Sequence, residues 1–348
     1  MTNDPVREPV SPVTIRDVAE RAKVALSSVS RVLSGHPDVS DQMRQRVEQA
    51  VADLGYTPDF LAQSLRSGHT HTVGFLLRDI SNPLFANVAR RCEQELRRAG
   101  YSMIMMSSDG DLEAEAENIR VIRRRRVDGV IVSLVSEVAP STVQALAEFQ
   151  VPIVLLDREV DGLRAGAVLS DHYVGVRDAC EALLAAGHRR IALVTGNPDV
   201  RSTRERVRAI LDAHAAHQVE YDERLLCRRQ FDAQVAKAEV TRLLSRADPP
   251  TAILAGGVDP TIGAVRAVRA LRRELGQDVV VVALDEWPAF DVTAPAMPSV
   301  ARDSGELGAA SARLLLDMLD GGEPRVELLE TAYVPRGAIG WAMPEARR

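Results

Sequence analysis

From residue 72 onward, short unbroken runs of apolar residues alternate with amphipathic segments of helical period. No other feature of the chain constrains its fold as strongly. Residues 73–77, 102–106, 129–132 and 151–156 form one set of apolar runs, with helical patterns over about 84–99 and 113–124 between them. A second set opens at 167–169 and continues through 191–194, 251–254 and 279–283. Runs that are apolar on both faces and separated by helices make parallel sheets covered on both sides. Two such sets predict an α/β core of two doubly wound parallel-sheet lobes, with a ligand cleft where the carboxyl ends of the strands meet.

At 348 residues, the chain has room for this core and a small additional domain. Hydrophobic residues make up 46%, and no apolar run approaches the roughly 20 residues of a bilayer span, so no membrane partner is expected. Residues 1–12 are polar and contain proline, which reads as a disordered leader and not as a secretory signal. Cys92, Cys180 and Cys227 have no ligand spacing and read as buried thiols of a cytoplasmic protein. The net charge is −6, and the acidic and basic residues between 13 and 66 balance, which argues against a general polyelectrolyte binder.

Residues 14–33 have the pattern of two short helices around a tight turn. Val18, Ala19 and Ala22 share one face of the first, Val29, Val32 and Leu33 one face of the second, and Val24 fills the angle between them. The outward face of the second carries Leu26, Ser27, Ser30 and Arg31, which suits a helix in the DNA major groove, where a guanidinium can bond a guanine edge. Pattern alone leaves ordinary helix packing equally open. A third helix is predicted from Ser40 as N-cap, through Met43, Val47, Ala50, Val51 and Leu54, to Gly55 as C-terminal stop. A further short helix-capable segment follows Pro58 and closes at Ser67 and Gly68.

Residues 13–68 resemble the headpiece of the lac repressor family of bacterial transcription regulators. The resemblance rests on Asp17-Val-Ala-Glu20, Val29-Ser-Arg-Val32, Gly55 and Tyr56 with Pro58, and Ala62 and Gln63 with Leu65, all in the family's order. It implies that Leu26, Ser27 and Arg31 face bases and that Thr14, Ser28 and Ser30 hold phosphates. It also implies that residues 59–66, with Ala62 and Leu65, form a hinge helix whose Leu65 wedges into the minor groove. An apolar wedge of this kind unstacks a base step and bends the duplex. Two positions depart from the family pattern: Lys23 replaces a frequent turn glycine, and Ala25 replaces a serine that caps the second helix, at a cost of roughly 1 kcal/mol. The implied organisation is a leader over 1–12, a small all-α helix-turn-helix headpiece over 13–57, a hinge and linker over 58–69, and a periplasmic-binding-protein-like core over 70–348 for effector binding and dimerisation.

Candidate effector residues lie where polar groups end the apolar runs. The motif from Asp79 to Phe85 resembles the family's ligand loop and places Asn82 and Phe85 at the cleft mouth, while Arg206 falls at the family's effector-binding arginine. Asp157, Asp171 and Asp285 follow predicted strands, with Asp171 assigned to the second lobe, and Trp287 adds a flat apolar face. Aspartates and an arginine around aromatic faces suit a hydroxyl-rich ligand. Each aspartate alone can equally be a helix N-cap. Arg206 and Asp285 are expected on opposite rims, bonded to the same ligand. Arg78 suits an anionic ligand or a solvated strand end, and both readings stay open. The family's frequent Asn-Asp pair is replaced by Gly256 and Gly257, with Asp259 beside them as a substitute.

Other features carry no chemistry of their own. Residues 123–126 read as a basic helix end, His69 and His71 as linker residues without further metal ligands, and His188 as part of a family turn. With no nucleophile elbow, zinc signature or phosphate loop, neither an enzyme nor a cofactor or metal is expected. The sequence therefore predicts a cytoplasmic homodimeric regulator, a repressor, that binds a pseudo-palindromic double-stranded DNA operator under the control of a small-molecule effector, a sugar or related metabolite. The alternative is a small-molecule binding protein without DNA activity, which would need an export signal that residues 1–12 do not offer. Effector, operator and direction of control are not encoded legibly.

Overall fold

Helix ends and turns in the first part of the chain follow from a few capping residues. In the computed structural model, which describes residues 13–33, 38–56, 68–229, 231–294, 297–337 and 339, the chain divides into two compact units at Thr70 and His71. The first unit contains α1 (Ile15–Ala22), α2 (Leu26–Leu33) and α3 (Asp41–Leu54). Thr14 precedes α1, and its backbone N–H and hydroxyl donate to Asp17 Oδ2 at 2.7 and 2.8 Å. Lys23 ends α1 in the left-handed region at φ 54°, which explains why glycine suits this turn. Arg46 of α3 donates to the Lys23 carbonyl at 3.0 Å and to that of Ala22, closing the same helix end. Ser40 caps α3 by accepting from the Met43 amide, and Gly55 at φ 61° stops it. Val18, Val29 and Val47 are fully buried at the centre, with Val24 and Leu33 packed against them.

The second unit contains two sheets of six strands with the same winding. The first is built from β1 (Thr72–Leu77), β2 (Ser102–Ser107), β3 (Gly129–Val132), β4 (Ile153–Leu156) and β5 (Gly166–Ser170), with helices α4 (Pro83–Arg98), α5 (Leu112–Arg124) and α6 (Pro140–Ala147). The second lobe follows with α7 (Val174–Ala185), β6 (Ile191–Thr195), α8 (Arg201–Ala216), β7 (Leu226–Arg228), α9 (Ala233–Leu244), β8 (Ala252–Ala255), α10 (Val258–Ala270), β9 (Val280–Ala283), α11 (Pro288–Thr293) and β10 (Ser299–Ala301). The chain then returns through α12 (Ser304–Leu319) to β11 (Val326–Leu329) in the first sheet and ends on β12 (Ala332–Val334) in the second. The orders are β11-β5-β4-β3-β1-β2 and β12-β10-β9-β8-β6-β7, parallel throughout except for the β10–β12 pair. Strands β1, β3, β4, β5, β6, β8 and β9 are buried along their whole length, as continuous apolar runs require.

One assignment made from the sequence is corrected. The run at 167–169 belongs to the first lobe, because β5 pairs with β4 and β11. Asp171 therefore follows the last strand before the chain crosses between lobes, not the first strand of the second lobe. An apolar parallel strand reads the same in either sheet, and only its hydrogen-bonded neighbours distinguish them. In both sheets the winding direction switches beside the first strand, β1 or β6. That geometry opens a crevice at the carboxyl ends of the strands.

Candidate functional site

Two surfaces carry the predicted chemistry, and they lie in separate units. In the first unit, the buried valines of α2 fix which side of the helix faces outward. Leu26, Ser27 and Arg31 are exposed, Leu26 by 43%, while Ser28 and Ser30 are partly covered and Thr14 is exposed at the start of α1. An exposed apolar tip with hydroxyls and a guanidinium on one helix face can meet base edges and phosphates together. The Ala25 carbonyl accepts from the Ser28 and Val29 amides, so α2 begins there without a side-chain cap. Ala62 and Leu65 lie outside the described residues.

In the second unit, the carboxyl ends of both sheets converge on a narrow cavity of about 50 Å³. Arg78, Asn82, Phe85, Asp157, Arg206 and Asp285 line it, as do Arg158, His172, Phe231, Asp259 and Arg302. Asn82 also caps α4, accepting from the Leu84 amide at 3.1 Å. The cavity is dominated by buried ion pairs. Arg302, on the short segment where the chain returns from β10 to α12, donates from Nε to Asp285 at 2.5 Å and from Nη1 to Asp157 at 2.7 Å. It also reaches the Ser170 hydroxyl at 3.1 Å, so one guanidinium ties β4 and β5 of the first lobe to β9 of the second. Burial alone would raise the Asp157 carboxyl, but His172 and Arg302 hold it well below its ordinary value. Burial lowers the His172 pKa against the pull of Asp157, and its Nε2 lies 2.9 Å from Asp157 Oδ2. On the other wall, Arg78 lies 3.8 Å from Asp259 and stacks over the Phe231 ring at 5.4 Å, joining the lobes again.

Three expectations need correction. Arg206 and Asp285 are not opposite rims awaiting one ligand: they face each other at 3.7 Å, with Arg206 Nη1 also donating to the Gly256 carbonyl at 3.1 Å. Asp171 does not line the cavity, because its Oδ1 accepts from the Tyr173 and Val174 amides at 3.0 and 3.1 Å, holding the turn that leads into α7 as a lone aspartate ahead of a helix often does. Trp287 lines a separate, larger groove of about 820 Å³, which shares only Leu84 and Arg302 with the inner cavity. The two glycines that replace the family's polar pair have a local cause. A side chain at Gly256 would meet the Thr195 hydroxyl at 2.6 Å, and Gly257 sits at φ 130°. Asp259, two residues on, does reach the cavity.

The remaining charged features have local partners. Arg123 pairs with Glu148 and Arg124 with Glu117, and His188 sits between the Thr251 hydroxyl at 2.7 Å and the Ile339 carbonyl at 2.9 Å. Away from the cavity, Glu137 of the first lobe accepts from the Arg201 amide at 2.9 and 3.0 Å and pairs with Arg204 at 2.8 Å, both on α8 of the second lobe. Sequence reasoning missed Arg158, His172, Phe231 and Arg302. Arg158 and His172 directly follow Asp157 and Asp171, so extending each strand-end motif by one residue would have found both.

Comparison with known proteins accounts for both units. Residues 14–59 match the profile of bacterial regulatory proteins of the lacI family, and residues 73–323 match that of a periplasmic binding protein domain. The ribose operon repressor of Halalkalibacterium halodurans is 30% identical, over 88% of this chain and 90% of its own length. The transcriptional repressor PurR of Aliivibrio fischeri is 27% identical, over 94% and 98%. A lac repressor dimer, solved on its operator with the anti-inducer ONPF, superposes with a TM-score of 0.81 at 26% identity, covering 94% of this chain and 99% of its own.

Proposed function

The chain belongs to the lacI family of bacterial regulatory proteins, DNA-binding transcription regulators with an effector-binding core, and from that premise we propose that it is a cytoplasmic homodimeric repressor. Each subunit reads one half of a pseudo-palindromic operator through Leu26, Ser27 and Arg31, with Thr14, Ser28 and Ser30 on phosphates. Residues 13–57 serve as headpiece, 58–69 as hinge, with Ala62 and Leu65 in the minor groove, and 70–348 as core. The family consists of regulators, and the core acts as a binding and switching element without catalysis.

One observation carries the effector role: the ion pairs that line the cavity are the same ones that tie the lobes together. A ligand that bonds Arg78, Arg206 or Asp285 competes with the Arg78–Asp259 and Arg302–Asp285 ties and so changes the balance between closed and open lobes. Dimerisation is supported by β2, the outer strand of the first sheet, where Ile104 and Met105 are 37% and 38% exposed. An apolar edge strand left open invites pairing with another chain. A fluorescence anisotropy titration of the full chain on DNA from its own upstream region tests the reading. Binding with half-site symmetry and its loss in Leu65→Ala are expected; equal affinity for random DNA would overturn it.

A further inference from the structure

The cavity contains more arginine than its carboxylates can neutralise. Arg78, Arg158, Arg206 and Arg302 line it, against Asp157, Asp259 and Asp285. Arg302 binds Asp157 and Asp285, Arg206 faces Asp285, and Arg78 faces Asp259, which matches three cations with three anions. Arg158 is left over. Its side chain is buried, its Nε donates to the Leu134 carbonyl at 2.6 Å and its Nη1 to the Asp157 carbonyl at 2.7 Å, and it makes no ion pair among the described residues. The carboxylates of Asp157, Glu137 and Glu115 act on it through space, without an ion pair. Glu137 holds the start of α8, and Glu115, raised by burial, accepts from the Val135 amide at 2.6 Å and the Thr142 hydroxyl at 3.0 Å. One donor in the cavity is unmet: buried Arg206 Nε has no hydrogen-bond partner among the described residues.

A buried guanidinium hydrogen-bonded only to neutral carbonyls gains from meeting an anion, and a cavity whose lining arginines outnumber its lining carboxylates by one favours a ligand with one negative charge. We propose that the effector is a monoanionic polyhydroxy acid whose carboxylate is received by Arg158, with Arg206 beside it. Its hydroxyls face Asp259 and Asp285, which can only accept hydrogen bonds when ionised. A neutral sugar would leave the surplus charge unmet, and a phosphate ester, carrying close to two charges, would overshoot it. The inference rests on the reading of this cavity as the effector site.

The test is a thermal-shift comparison of the full chain with matched probes at one millimolar concentration: gluconate against glucose, galacturonate against galactose, ribonate against ribose, and glucose 6-phosphate. At least one acid raises the melting temperature by about 4 °C or more, while its neutral partner shifts it by less than about 1 °C. Arg158→Gln removes the acid-induced shift, and Arg158→Lys, which keeps the charge, retains part of it. A neutral sugar as effective as its acid, a response to the phosphate ester alone, or silence across all the acids overturns the proposal. The wild-type comparison decides even if Arg158→Gln fails to fold. Operator binding is measured alongside. Release of upstream DNA by a neutral sugar sinks only the anionic assignment, whereas failure to bind that DNA sinks the regulator reading itself.

Discussion

The helix-turn-helix unit and the two-lobed core place their functional groups in opposite environments. On α2, Leu26, Ser27 and Arg31 stand in water, while Val29 and Val32 behind them hold the fold. In the core, Asp157, Arg206 and Asp285 are at most 5% exposed, and the charges that would meet a ligand also hold the lobes against each other. Recognition and stability are therefore separable in the first unit and fused in the second. A headpiece of this kind can change its site preference cheaply, whereas a change in the cavity alters ligand, lobe closure and stability together.

The largest effect expected from this difference is on Arg302. Arg302→Ala removes the guanidinium shared by two buried carboxylates and should destabilise the core by about 3 kcal/mol, read as a lower denaturation midpoint together with loss of effector response. A normal midpoint would separate function from stability in the core and break the contrast. Arg31→Ala should weaken operator binding by about 1–3 kcal/mol, mostly at one base pair per half-site, with the melting temperature unchanged. Equal losses on operator and random DNA would make Arg31 a phosphate contact.

Acid should affect the core next. The folded pKa of His172 lies below its unfolded value, so as pH falls below about 6.5 the unfolded chain takes up the proton first and stability declines. Asp157, held below its ordinary value, adds a further loss from about pH 4 downward. One proton limits each slope to about 1.4 kcal/mol per pH unit. His172→Gln should flatten the melting temperature between neutral pH and about pH 5, and a wild-type profile already flat there would contradict this. The smallest effect is on Lys23, whose left-handed turn needs no side chain. Lys23→Gly should stabilise the headpiece by about 0.5 kcal/mol without altering half-site preference, checked by melting the headpiece transition and repeating the DNA titration.

These environments also explain what the sequence made legible. The three helices and the long strands follow from apolar period and capping residues, both local signals. Short strands such as β7, β10 and β12, three residues each, carry too little pattern to stand out. Arg78, Asn82, Phe85, Asp157, Arg206 and Asp285 could be placed at the cavity because parallel sheets put ligands at strand ends. Arg302 could not, since it follows one of those short strands and meets Asp157 across 145 residues of chain. Asp171 illustrates the converse: a carboxylate after a strand serves equally well to hold the turn into a helix, and only geometry decides.

Glu137 gives lobe closure a reporter within the backbone. Helix α8 begins after Val200, which has no side chain able to cap it, and the missing acceptor is a carboxylate from the opposite lobe. Parting the lobes would strip the Arg201 amide of that acceptor, leaving the first turn of α8 to fray and exchange its hydrogens with solvent. Amide exchange at Arg201 is then a clock for opening, readable without DNA and without knowing the ligand.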